Sequence, residues 1–111
     1  MFAKKVEISN RFPRYNLFSP AVPVYCITPK HDGCFHRFFD TSPISPSGRY
    51  VGLTRLKNED QAPSSGESAE IILVDLQKGK VDCVAETKAF GTQLGAQVQW
   101  GRSDNELYYN E

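Results

Sequence analysis

The chain has 111 residues, 40% of them hydrophobic and 23% charged, with 13 Lys plus Arg balanced by 13 Asp plus Glu. That is enough apolar material for one small domain and not for two, and the balanced charge provides no global field to hold nucleic acid or an anionic membrane, leaving only local patches. No run of about 18 apolar residues occurs, so the sequence contains no membrane-spanning helix.

At the start, Lys4 and Lys5 precede Val6, Glu7 and Ile8 without reaching the apolar run of a secretory leader. The expected location is the cytoplasm, or the periplasm or exterior if a leader has been removed. Residues 1–23 read as an N-terminal extended segment. Helical periodicity is nearly absent beyond it, and seven prolines and eight glycines interrupt the chain throughout. The period is two. Residues 24–28 read as a short buried strand stopped by Pro29, and Ile44, bracketed by Pro43 and Pro46, suits a short inner strand whose ends need few ladder bonds.

Ser47-Gly48 makes a tight turn into a strand over residues 50–56, with Tyr50 and Gly52 on one face and Val51 and Leu53 on the other. Residues 57–68 shift to Asn, Glu, Asp, Gln, Pro, Ser and Gly, a composition expected of a long surface loop. Residues 70–75 are almost continuously apolar, as in a strand covered on both faces, and a turn at 77–80 leads to a hairpin partner over 81–87. Cys83 lies in that partner strand and is expected to be a small buried hydrophobe. With Cys26 and Cys34 it makes neither an even disulfide framework nor a CxxC pair. Residues 97–100 and 106–109 form two further strands around a turn.

Residues 44–53 and 100–109 share one pattern: an apolar strand end, a small polar turn, then an apolar strand. The pattern returns after 56 residues. A period near 40–50, lengthened here by the 57–68 loop, is a propeller-blade spacing. The expected fold is therefore all-β, an incomplete β-propeller fragment of about one and a half antiparallel blades, with residues 24–111 holding the first blade and the start of the second. Such a fragment cannot bury its faces against neighbouring blades. Alternate residues of 71–74 and the strand 106–109 are then expected to be uncovered, with self-association as the consequence, and residues 6–18 to be mobile or paired with a neighbouring molecule.

The densest polar cluster runs from His31 to Asp40 and holds both histidines. Cys34 and His36, two apart on an extended segment, share a face and offer a divalent metal such as zinc two acceptable ligands. The competing reading is a loop packed on Phe35, Phe38 and Phe39. Arg37 and Arg102 are candidates for a bidentate clamp on a carboxylate, against the alternative of solvated surface. There is no Gly-rich phosphate loop, no GxSxG and no paired catalytic carboxylates.

Ile44-Ser45-Pro46-Ser47-Gly48-Arg49 and Val74-Asp75-Leu76 resemble TolB-type propeller repeats. In the second copy Gly101-Arg102-Ser103-Asp104 replaces the Ser-Pro-Asp-Gly of that pattern. Over residues 36–50 and 93–101 the chain is similar to the N-terminal blades of propeller polysaccharide lyases, of the oligogalacturonate lyase and, more closely, the ulvan lyase type. This resemblance implies an acidic polysaccharide partner cleaved by β-elimination: a base takes the proton beside a uronate carboxylate, a cation or donor neutralises that carboxylate, and an acid protonates the leaving oxygen. It further implies a catalytic His at or near Gln97. An amide cannot serve as that base, so activity is in question, and the competing class is a non-catalytic propeller acting as a protein or carbohydrate interaction platform.

Overall fold

In a computed structural model, which describes residues 7–111, the regular secondary structure is antiparallel β, apart from one 3-10 turn at Ile8–Asn10, and the rest of the described backbone is turns and irregular segments. Six strands occur: β1 (Cys34–Phe35), β2 (Tyr50–Arg55), β3 (Ala69–Asp75), β4 (Lys80–Thr87), β5 (Gln99–Trp100) and β6 (Leu107–Tyr108). The first four form one sheet in the order β1-β2-β3-β4, and β5 pairs with β6 in a second.

β2, β3 and β4 fall where period two and the turn residues put them, whereas β1 lies where no strand is expected from the sequence. β2 and β3 pair from Tyr50 opposite Asp75 to Arg55 opposite Glu70, so Val51 and Leu53 share a face with Val74 and Ile72. Gly52 and Thr54 share the other with Leu73 and Ile71. Residues 57–62 between β2 and β3 are exposed, with partial burial returning at Pro63 and then at Glu67 and Ser68. The β3–β4 hairpin turns at Gly79, whose φ of 68° is left-handed. A bulge shifts register between Ile71, opposite Ala85, and Ile72, opposite Cys83.

Both faces of β3 are buried. Ile72 and Val74 join Phe12, Val51, Leu53 and Leu76 in one apolar cluster, against which Ile8, Tyr25 and Ile27 pack. Ile71 joins Ala96 and Val98 in a second, with Ala85, Phe90, Leu107 and Tyr109 beside it. The expectation of an uncovered β3 face is thus corrected. Phe12 and its neighbours close one side, residues 90–109 close the other, and Ile71, Ile72 and Val74 are wholly inaccessible.

The same packing corrects part of the expectation for residues 6–18. Val6 lies outside the described residues; Phe12 is 5% exposed, Ile8 packs beside it and Arg11 Nε donates to the Gln77 carbonyl at 2.9 Å, so residues 8–12 are folded onto their own sheet, while residues 13–18 are exposed. Residues 24–28 are not a buried strand either. Only Tyr25 makes a bridge, to Arg14; Val24 is exposed and residues 25–28 are half-buried. Cys83 is exposed rather than buried. β4 is the sheet's outer edge and among the described residues nothing covers Cys83 there, which sequence period alone does not reveal.

The sequence repeat is matched by backbone geometry. Ile44 bridges Val51, and Trp100 pairs with Leu107; Ser45 N–H donates to the Tyr50 carbonyl at 2.8 Å, and Gly101 N–H to the Glu106 carbonyl at 2.7 Å. Each contact recurs at the same 56-residue displacement. Where the two copies meet, Gly52 supplies the room: a Cβ there would stand 3.0 Å from Leu107 Cδ1 and 3.1 Å from Val98 Cγ1. Thr54 Oγ1 accepts the Ala96 N–H at 3.0 Å, and Trp100 Nε1–H donates to the Pro43 carbonyl at 2.8 Å.

Candidate functional site

One edge of β2 is served by two separate pieces of chain. β1 pairs with its Thr54–Arg55 end and Ile44 bridges its Val51 end. Residues 36–42 between them leave the sheet as a loop, and the chain returns to β2 where the Pro43 carbonyl accepts the Gly52 N–H at 2.9 Å. The chemistry-bearing residues of the first half sit on this loop.

Arg37 is the residue that the loop positions most firmly. Its Nη1 donates to Gln99 Oε1 on β5 at 3.3 Å and its Nη2 lies 3.5 Å from Asp40 Oδ2. The side chain is 21% exposed and its buried Nε meets no acceptor among the described residues. A guanidinium carries five donors. Two long contacts leave it with capacity for a further acceptor. Two residues along the loop, Phe39 is 85% exposed, its ring tilted against that of Phe38 with centroids 4.5 Å apart. Between this loop and β5 lies a cleft of about 250 Å³, lined by Thr41, Ser42, Gln99 and Trp100 among others.

Behind the loop the two copies are tied by an aromatic stack and by a pair of turns. Tyr50 and Trp100 stack with centroids 6.3 Å apart, and the Arg49 guanidinium lies 5.0 Å over the Tyr50 ring. Arg49 also grips Asp75 in bidentate fashion, Nε to Oδ1 at 3.2 Å and Nη2 to Oδ2 at 2.8 Å. That contact, with the N–H groups of Lys78 and Gln77, holds the Asp75 carboxyl below its ordinary range.

Gln97 occupies a different place. It has a left-handed φ of 56° and lines an open groove of about 610 Å³ with Phe90, Thr92, Gln93 and Asn110. A non-glycine residue in that conformation costs about 1–2 kcal/mol, maintained here by the flanking contacts: Gln97 N–H donates to the Leu94 carbonyl at 3.2 Å, and Ala96 is wholly buried. Arg102 is exposed in the β5–β6 turn, where its backbone N–H donates to Glu106 Oε2 at 2.7 Å. The structure therefore brings Arg37 to Gln99 and Asp40, and leaves Arg102 and Gln97 apart from that cluster.

Cys34 and His36 also differ in setting. β1 ends at Phe35, so the extended geometry that would align residues 34 and 36 stops before His36. Cys34 Sγ–H donates to the His31 carbonyl at 3.3 Å, and His36 is exposed. Burial pushes the Cys34 thiol up, with the Thr28 hydrogen bond and the Arg55 charge opposing. Among the described residues no three His, Cys, Asp or Glu side chains gather as a metal would require.

Gln99 is absent from the site residues expected from the sequence; Asp40 enters only as the end of the polar cluster, and Phe39 only as a packing residue, whereas it is 85% exposed. Gln99 carried a usable signal: with Gln97 it places polar side chains two apart in a strand otherwise built from Val98 and Trp100. Comparison of the chain with known protein families, curated proteins and solved structures gives no match.

Proposed function

We propose that the two sheets are successive propeller-type blades and that the edge carrying Arg37 binds an acidic polysaccharide without cleaving it. The observation that carries this reading is the Arg37 guanidinium, held between Gln99 and Asp40 with donor capacity to spare, two residues from an exposed Phe39. A uronate residue matches both features. Its carboxylate takes a charge-assisted bidentate contact from Arg37, and the apolar face of its ring lies on Phe39. The repeated hairpin at 56-residue displacement supports the blade reading, since it reproduces hydrogen bonds as well as the pattern of apolar strand end, polar turn and apolar strand.

Cleavage by β-elimination would require a base at the carbon beside that carboxylate. Gln97, where the lyase resemblance leads one to expect it, is an amide, and the groove it lines does not include Arg37. Titration calorimetry with uronate oligomers and their neutral, esterified counterparts tests the proposal. Binding of the acidic form alone, abolished by Arg37→Gln, is the expected result. Growth of absorbance from an unsaturated uronate would replace the binding reading with the lyase one. Equal affinity for both forms would remove the carboxylate from recognition and leave a platform for other partners.

A further inference from the structure

Residues 13–26 form a projecting finger. Its neck is a short antiparallel ladder: Arg14 bridges Tyr25, Tyr15 N–H donates to the Val24 carbonyl at 2.7 Å and Cys26 N–H to the Pro13 carbonyl at 2.9 Å. Beyond the neck nearly every residue to Val24 is exposed, including large apolar ones: Leu17 at 65%, Phe18 at 95% and Val22 at 66%. Tyr15 and Val24 at the neck are exposed as well. Half of the large exposed hydrophobics among the described residues are on these ten positions. An apolar group of that density at one projecting tip marks a contact surface rather than scattered surface apolarity.

The backbone adds an independent observation. Phe18 and Ser19 are consecutive non-glycine residues in the left-handed region, at φ 59° and 44°. For a bulky side chain this is a real departure, costing roughly 1–2 kcal/mol per residue. Glycine would remove the strain. Sequence instead places Phe at the point of greatest exposure, and strain of this kind clusters at binding tips.

Charge selects the occupant. Between Arg11 and His31 the chain carries Arg11, Arg14 and Lys30 and no carboxylate. The chain as a whole is neutral, so this stretch is basic against an acidic remainder. We propose that the finger docks on an anionic lipid surface, with Leu17 and Phe18 entering the headgroup boundary and Arg14 held at the phosphate level. Apolar insertion and basic attraction together give reversible interfacial binding, and each cation near such a surface adds an increment that salt screens. The balanced net charge is no obstacle, because attraction at this range depends on the local patch.

Flotation of the full chain with vesicles of phosphatidylcholine alone, and with phosphatidylglycerol added, tests the proposal. Binding is expected on the anionic vesicles, weaker on the neutral ones and reduced by salt. Phe18→Gly is the informative variant. It relieves φ and so should leave thermal stability equal or higher, yet removing the aromatic side chain should weaken partition by about tenfold. Arg14→Gln should lower partition only on the anionic vesicles. Absence of binding to anionic vesicles overturns the proposal, as does a Phe18→Gly chain that is less stable and binds unchanged. A finger variant that alters only self-association, measured by light scattering, would assign the tip to a second copy of the chain and equally overturn it.

Discussion

Ser47, in the turn of the first hairpin, donates its backbone N–H to Asp104 Oδ1 at 3.1 Å and its hydroxyl to Asp104 Oδ2, joining two turns that occupy corresponding places in the two repeats. One carboxylate thus fixes the second hairpin relative to the first. Ser47→Ala keeps the backbone contact and is expected to cost about 1 kcal/mol, whereas Asp104→Ala loses both and should cost about 1.5–3 kcal/mol. Urea denaturation of the two variants checks the order. Equal midpoints for Asp104→Ala and the parent chain would mean that the turns are placed by the apolar contacts of Gly52, Val98 and Leu107 alone.

Acid should weaken the fold through two carboxylates. The Ser47 donors hold Asp104 below the ordinary carboxylate range, and Arg49 does the same for Asp75. Each is more acidic folded than unfolded, so its contribution is complete above the unfolded value and is lost as pH falls toward the folded one. Stability is therefore expected to decline from about pH 5 downward, with no corresponding change between about pH 6 and 8 from these groups. Melting temperatures across that range measure it. Arg49→Gln should flatten the acid limb, because Asp75 then loses the partner that depresses it.

Gly95 is a second point at which the two sheets are held. Its φ is +61°, and a Cβ there would collide with Thr54 Oγ1 and lie 2.8 Å from Thr54 Cβ. The same Thr54 hydroxyl accepts the Ala96 N–H. Gly95→Ala combines left-handed strain with displacement of a buried threonine, and about 2–4 kcal/mol of destabilisation is expected. Gly66, also left-handed at φ +83° but with open space around its Cβ position, is the control. Gly66→Ala should cost only the backbone share, so a similar loss at both positions would deny any role to the Thr54 contact.

How much of this was legible in the sequence depends on distance along the chain. β2, β3 and β4 were readable because alternation, Gly-containing turns and the polar 57–68 stretch are local signals. The repeat was readable because hairpin chemistry recurs at fixed displacement, even with Gly101-Arg102-Ser103 in place of Ser45-Pro46-Ser47. Cys83 was misread because an edge strand and a central one can carry similar letters; only the topology puts β4 outermost and leaves its face open. Arg37 was found as a candidate, but its partner Gln99 lies 62 residues away. No periodicity reports a contact of that kind. That β3 is covered on both faces is legible in its continuous apolar run, but not what covers it, since Phe12 reaches it from a segment with no strand signal.

Phe12 supplies the last test. It is 5% exposed and shares one cluster with Val51, Leu53, Ile72, Val74 and Leu76. If residues 7–13 were a loosely attached leader, Phe12→Ala would act like a surface change, within about half a kcal/mol. As the lid on one face of β2 and β3, the ring should instead cost about 3–5 kcal/mol when truncated. Loss of the lid also uncovers Ile72 and Val74, so the variant should bind a hydrophobic dye and associate at concentrations where the parent chain does not. Phe12→Leu, which keeps most of the apolar volume, should fall between the two. Denaturation midpoints and light scattering on the same three proteins decide the matter: a near-neutral Phe12→Ala that stays monomeric would detach this segment from the core and reopen one face of β3 to another partner.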